Sequence, residues 1–403
     1  MPTNPRFNRP LAQRTDPFAE SVIREMTRLG SEHGAINLSQ GLPEFDSPPA
    51  VLQAAAAAVL AGDNQYTYSF GTPALRAAIA SKTSAYNHIP TDPETMVTVT
   101  CGVSEASIST MLALTDPGDE VIILQPWYEN YVPDCRMAEV TPRFVPLREP
   151  DYTFDPAELR AAFNPRTRLI LFNTPHNPTG RVFTRAELEA IAALCQEFGV
   201  IAVTDEIYEH IVYDGREHVS IGSLPGMENL AVSITGLGKT YALTGWRVGW
   251  AVAAPALTAL IRKVHDYMTI CAPGPFQAGG VVALALEPAF YGAMQAEYAA
   301  RREILLGALQ RAGFEFRAPE GAYYVMADFK HIAWDAQKYA RPAWSQDRVF
   351  AEYMARDIGV AVVPGSSFYT GSGLGDTRVR FNFAKKPATL REAAARLCRM
   401  GGC

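Results

Sequence analysis

Cysteine and histidine are scarce here and never grouped. Cys101, Cys135, Cys195, Cys271, Cys398 and Cys403 are the six cysteines of 403 residues, with no CxxC pair and none of the seven histidines at ligand spacing. That argues against a structural zinc site and against a disulfide framework, and no metal site is expected. Long apolar runs are missing too, so no bilayer span is expected. The opening MPTNPRFNRPLAQRTD is polar and lacks the apolar core of a signal peptide. Nor is there an excess of positive charge. Lysine plus arginine number 36 against 42 acidic residues, net -6, which gives no footprint for nucleic acid or an anionic membrane. No internal repeat appears. A reducing cytoplasm is the simplest setting for such a chain.

What is present is an ordinary globular balance, 48% hydrophobic and 19% charged. The length exceeds what one hydrophobic core supports, which predicts two domains. Residues 1–35 read as an arm and one amphipathic helix. The Ala-rich VLQAAAAAVLAGD stops at Gly62, a C-terminal signal. Thr72-Pro73 opens PALRAAIASKTSAY, with Thr at the cap and Pro at the first helical position. MVTVT is a short β-branched strand, followed by the helix VSEASISTMLAL and the turn TDPGD. EVIIL, RLILFN, VIAVTDE and LAVSI are buried-type strands, and Thr184 to Glu187 has capping-box spacing before a helix that ends near Gly199. Continuous apolar strands alternating with helices predict an α/β fold, a mostly parallel sheet covered on both faces. Residues 289–312 read as one long connecting helix. After it, the strands YYVMAD and RVRFNFA mix with helices near 345–358 and 387–400, as in a smaller α+β domain. The expected division is 1–45 as arm and part of the small domain, 46–288 as the large domain and 289–403 as the small C-terminal domain.

The most informative stretch is SITGLGKTYALTGWRVGW, Ser233–Trp250. Lys239 follows a Gly-rich turn and Arg247 lies eight residues on. An amine that forms Schiff bases must be positioned and partly deprotonated. A cationic neighbour such as Arg247 lowers its pKa and also grips phosphate. Gly238-Lys239-Thr240 copies the end of a P-loop, but that motif needs glycine where Ser233 stands. A surface lysine in a turn would look the same in isolation.

Four further stretches bear on chemistry. FNTPHNPTG, 172–180, leaves a strand and turns on two prolines. That puts Asn177 at the carboxyl end of the sheet, where open α/β sheets bind ligands; an ordinary Asn-Pro turn is the plain alternative. TDEIYEH, 204–210, ends a strand with Asp205 and Tyr208. A carboxylate there can pair with a cationic ring nitrogen, or merely cap a helix; His210 reads as a bystander. TCGVSEAS, 100–107, offers backbone amides at a helix start, which bind phosphate readily, with Ser104 as hydroxyl or cap. In RVRFNFA, Arg380 could grip a carboxylate through two parallel hydrogen bonds or be an exposed strand arginine.

In this order, over about nine-tenths of the chain, from INLSQGLPEFDSPPAV to RVRFNFAKKPATL, these stretches resemble fold-type I pyridoxal-phosphate enzymes, specifically the class I/II aminotransferases. The finer features, Gly238 before the lysine, Ser366–Tyr369 and RFNFAKK, resemble the kynurenine–glutamine transaminase-like branch.

The resemblance implies a seven-stranded, mostly parallel sheet and pyridoxal 5'-phosphate held by Lys239 as a Schiff base. It implies that Arg247 and the turn Gly102, Val103 and Ser104 hold the phosphate. Asp205 would pair with the ring nitrogen, while Asn177 and Tyr208 would hydrogen-bond its phenolic oxygen. Tyr128 would stack on the ring, with Trp127 beside it. Arg380 would clamp the substrate carboxylate with the backbone at Gly41. Tyr66 would reach the phosphate of a neighbouring subunit, which implies a homodimer.

One departure stands out: Gly236 occupies the position where many relatives carry a phosphate-binding serine, and Thr235 and Ser233 are the hydroxyls that could compensate. The implied activity is ping-pong transfer of an amino group from an L-amino acid to a 2-oxo acid. A lyase, cyclase or oxidase would use the same lysine. A transcription regulator on this fold would need a DNA-binding module ahead of Asn37 and a basic patch. Trp127, Tyr66, Phe18, Phe368 and Tyr369 are candidates for an apolar substrate pocket, although core packing is the commoner fate of such residues.

Overall fold

A computed structural model describes residues 20–342, 344–371 and 373–401. Its centre is a seven-stranded sheet in the order 97–100, 249–253, 231–236, 201–205, 167–173, 120–125, 141–146. The strands from 231–236 to 141–146 run parallel, whereas 249–253 is antiparallel to both its neighbours. Side chains along these strands alternate between two cores. Ile122, Leu124, Ile170 and Phe172 pack on one face, with Leu188 and Ile191 of helix Arg185–Phe198. Val121, Ile123, Leu169 and Leu171 pack on the other, with Ala106 and Met111 of helix Val103–Leu114 and Ile261 of helix Pro255–Met268. The period-two pattern explains why these runs are apolar at every position.

Local signals set the helix ends. Pro49–Ala61 stops at Gly62, whose φ of 94° suits glycine. Pro73–Tyr86 is capped by Thr72, which accepts from the Leu75 amide. Thr184 and Glu187 form a reciprocal capping box. Beyond helix Pro288–Arg311 lies an antiparallel four-stranded sheet in the order 363–364, 378–382, 324–328, 315–316. Strand Ile36–Asn37 pairs in parallel with Val360–Ala361, so the segment near the start of the described chain joins this later part. Helix Pro387–Gly401 packs on Pro288–Arg311. Among the described residues no helix is long and apolar enough to cross a membrane.

Thr141–Pro146 adds an edge strand that sequence patterning misses; it carries two prolines and alternates exposed and half-buried positions from Thr141 to Phe144 before Val145 enters the core. The residues after Thr240 form a turn and then the strand Gly249–Ala253 rather than a helix, which removes the P-loop alternative.

Candidate active site

Asn173, Asp205 and Gly236 end three adjacent strands of the large sheet. Above these ends lies a cleft of about 400 Å³. Gly41, Gly102, Val103, Ser104, Tyr128, Asn177, Asp205, Tyr208, Lys239, Arg247 and Arg380 all line it. The sequence scattered these residues over more than 300 positions, and the fold brings them together.

Lys239 Nζ donates to the Gly41 carbonyl at 2.9 Å. Its pKa is lowered, first by burial and then by Arg380 and Arg247. Burial therefore outweighs Arg247, which the sequence alone singles out as the cause. Asp205 is buried; it accepts from the Ile207 amide at 3.1 Å and from the Tyr131 hydroxyl at 3.2 Å. Burial raises its pKa to about 6, and no cation lies within salt-bridge distance of it among the described residues. Such a carboxylate suits a protonated ring nitrogen, whose charge would offset the desolvation.

Arg380 is fully buried without a carboxylate partner. It donates to Asn177 Oδ1 at 2.8 Å and to the Ser39 carbonyl at 2.6 Å, and its Nε has no acceptor. A guanidinium left with neutral acceptors and a free donor matches an incoming carboxylate. Asn177 thus spends its oxygen on Arg380 and keeps its amide protons as donors for the cleft.

The phosphate-sized corner is shaped by glycine. Gly102 has φ 84°, and a Cβ there would fall 2.5 Å from Arg247 Nη2. Arg247 donates to the Thr244 and Cys101 carbonyls, and the first turn of helix Val103–Leu114 supplies unpaired amides beside it. From behind, Glu105 accepts from the Cys101 amide, from His265 Nδ1 at 2.6 Å and from Thr269 at 2.6 Å, which anchors the turn. The residues present therefore fit pyridoxal phosphate at both ends, anion and ring nitrogen.

Two expectations are corrected. Trp127 does not face the cleft; its ring packs in the core against Phe144, and the following residue, Tyr128, takes the wall. Thr235 and Ser233 do not replace the serine absent at Gly236. Thr235 Oγ1 donates to Glu209 and the Glu206 carbonyl, Ser233 Oγ to Glu206, and both point into a buried network below the sheet ends. That network gathers Glu206, Glu209 and His218 closely enough to hold a cation, and Lys82 Nζ already sits 2.5 Å from Glu209.

Of the other pocket candidates, Phe368 lies 5.0 Å from the Arg380 guanidinium and Tyr369 packs beside the core. Tyr66 is 78% exposed and lines no part of this cleft. Phe18 lies outside the described residues. His210 is held between the rings of Tyr86 and Tyr291.

Sequence reasoning missed three tyrosines. Tyr131 bonds Asp205 across 74 residues, Tyr323 donates to the Gly41 carbonyl at 3.1 Å, and Tyr324 lies 3.1 Å from Tyr208, hydroxyl to hydroxyl. No local signal marks them, since aromatic residues in a helix or strand are ordinary core.

The family model described as "Aminotransferase class I and II" matches residues 33–397. A probable N-succinyldiaminopimelate aminotransferase of Mycobacterium tuberculosis is 36% identical over 95% of this chain and 97% of its own length. A methionine aminotransferase of Escherichia coli K12 is 35% identical over 94% and 95% of the two chains. Kynurenine–oxoglutarate transaminase 1 of Mus musculus is 35% identical over 97% and 98%. The solved structure of the M. tuberculosis N-succinyldiaminopimelate aminotransferase superposes with a TM-score of 0.91, covering 97% of this chain and 100% of that one.

Proposed function

This chain belongs to the class I and II aminotransferases, and from that membership we propose how its residues divide the work of moving an amino group. It is a pyridoxal-phosphate-dependent transferase acting on an amino acid and a 2-oxo acid. The bound cofactor supplies an aldehyde that condenses with amines and a ring that accepts the electrons released at the substrate α-carbon. Arg247 and the amides of Gly102, Val103 and Ser104 hold its phosphate, Asp205 keeps its ring nitrogen protonated, and Tyr208 and Asn177 donate to its phenolic oxygen. Tyr128 covers one face of the ring.

Arg380, with the strap at Ser39 to Gly41, orients the substrate carboxylate. Lys239 would have two tasks, as the amine that holds the cofactor aldehyde and, when free, as the base that takes the substrate α-proton. Its lowered pKa serves the second task, since a base must start unprotonated. The observation that carries this assignment is the convergence of Lys239, Asp205 and Arg380 on one cleft, each buried or half-buried and none of them in a salt bridge among the described residues.

We assign residues 46–288 to a large domain, 289–403 to a small C-terminal domain, and 1–45 to an arm and part of that small domain, residues 1–19 lying outside the described residues. The pairing of Ile36–Asn37 with Val360–Ala361 supports this division. We also read the protein as a homodimer in which Tyr66 serves the partner's site. Leu60, Tyr66, Tyr68, Tyr267 and Ile270 are exposed large apolar residues on two segments that Thr67 joins through Gln277 and Gly274, and a subunit interface would bury them. The scattered cysteines fit a cytoplasmic setting.

Mixing the purified holoenzyme with one amino acid and no acceptor tests the assignment. One equivalent of 2-oxo acid per site is expected, and none from Lys239→Ala. Acceptor-independent release of ammonia, with oxo acid formed beyond one equivalent per site, would refute transamination.

A further inference from the structure

The rim of the cleft carries a phenol that the roles above do not use. Tyr324 begins the strand Tyr324–Asp328 and pairs with Asn382, which places Arg380 diagonally across on the same face. The Arg380 guanidinium lies 4.3 Å from its ring centre. Tyr324 is 2% exposed, yet its side chain borders the cleft. Two contacts fix its hydroxyl. Tyr208 Oη is 3.1 Å away, and a Cβ on Gly41 would fall 1.8 Å from Tyr324 Oη, so residue 41 has no room for a side chain. The strap bearing Gly41 is itself tied down, by Arg380 to the Ser39 carbonyl at 2.6 Å and by Asn382 to the Gln40 carbonyl at 2.7 Å.

A phenol has one proton to give and two lone pairs to receive. Where Tyr208 gives its proton to the ring's phenolic oxygen, the bond between the two phenols runs from Tyr324 to Tyr208. We propose that Tyr324 is a positioning residue for the reaction, donating to Tyr208 so that the Tyr208 hydroxyl is aimed at the cofactor and is a stronger donor to it. Successive hydrogen bonds polarise one another by roughly 10–30% each in a low-dielectric site. The inference rests on the role given to Tyr208 under the proposed function. The titratable and charged groups facing the pair are Asp205, Tyr128, Lys239, Arg380, Tyr323 and Tyr298. The substitution below leaves all of them in place.

A donor to the phenolic oxygen favours the deprotonated chromophore and lowers its pKa, so losing part of that donation raises it. Tyr324→Phe keeps the ring beside Arg380 and removes only the hydroxyl. The midpoint of the pH-dependent absorbance change of bound pyridoxal phosphate is expected to rise by about 0.4 to 1 unit. The kcat falls about twofold to tenfold, while KM for the amino donor changes less than about twofold. In a Tyr208→Phe background the same substitution moves the midpoint by less than about 0.2 unit, because the intermediary is gone. A normal wild type with an unmoved Tyr324→Phe midpoint, or an equal shift in both backgrounds, overturns the relay alone. A wild type that forms no chromophore with the cofactor overturns the Tyr208 assignment and the relay together.

Discussion

Replacing Gly236 by serine installs the residue that the resemblance leads one to expect, and the structure argues that it harms the protein. Gly236 pairs with Gly249 across the antiparallel strands. A Cβ on Gly236 would lie 2.8 Å from Gly249 Cα and 2.8 Å from the Val248 carbonyl oxygen. Both are backbone atoms, so no rotamer change relieves the contact. Moving strand Gly249–Ala253 away is blocked in turn, since Gly249 itself rests against the Gly102–Val103 peptide, where its own Cβ would fall 2.7 Å from Val103 N.

Overpacking of this kind costs about 1–3 kcal/mol. A serine hydroxyl reaching the cofactor phosphate would return about 1.5–3 kcal/mol, but only if the turn keeps its place. The strain falls on that same turn, so Gly236→Ser is expected to lose about 1–3 kcal/mol of apo-protein stability and to bind pyridoxal phosphate no more tightly than the wild type. Gly236→Ala separates size from hydroxyl and should lose as much. Equilibrium urea unfolding followed by tryptophan fluorescence gives the stability, and cofactor titration gives the affinity. Variants within about 0.5 kcal/mol of wild type, or a serine variant with tighter cofactor binding, would refute the reasoning.

Three other outcomes are expected. Arg380→Lys loses the forked contact to the substrate carboxylate, so steady-state kinetics should show KM for the amino acid raised by about tenfold to a hundredfold, with a smaller change in kcat. Mixed dimers of Lys239→Ala and Tyr66→Phe contain one site with both residues intact, so at limiting cofactor the mixture should exceed the mean activity of the two parents; activity equal to that mean would place Tyr66 in its own subunit's site or in none. His176 and His210 have pKa values lowered to about 3, chiefly by burial. The unfolded chain takes up their protons near pH 6.5 and the folded one does not, so stability is full above that pH and lost as pH falls toward 3. At pH 5 the loss is about 2 kcal/mol per histidine. A His210→Gln variant should show a smaller difference in urea midpoint between pH 7 and pH 5 than the wild type.

The sequence by itself determined many of the strands and helices, where several of those helices begin and end, and which short motifs carry chemistry. These are consequences of apolar periodicity, capping and turn geometry, which act over a few residues. Thr72, Thr184 and Gly62 could be read that way, and Lys239, Asp205, Asn177 and Arg380 stood out through the residues next to them. Tertiary structure alone decided what each group meets. Asn177 gives its oxygen to Arg380 across 203 positions, and Tyr131, Tyr323 and Tyr324 join the site from elements that otherwise read as core. It also turned Trp127 inward beside a cleft-facing Tyr128, and hid an edge strand in the Pro-bearing Thr141–Pro146. Hydrogen bonds and burial depend on which surfaces finally pack together, and that distance in space is not written in the spacing along the chain.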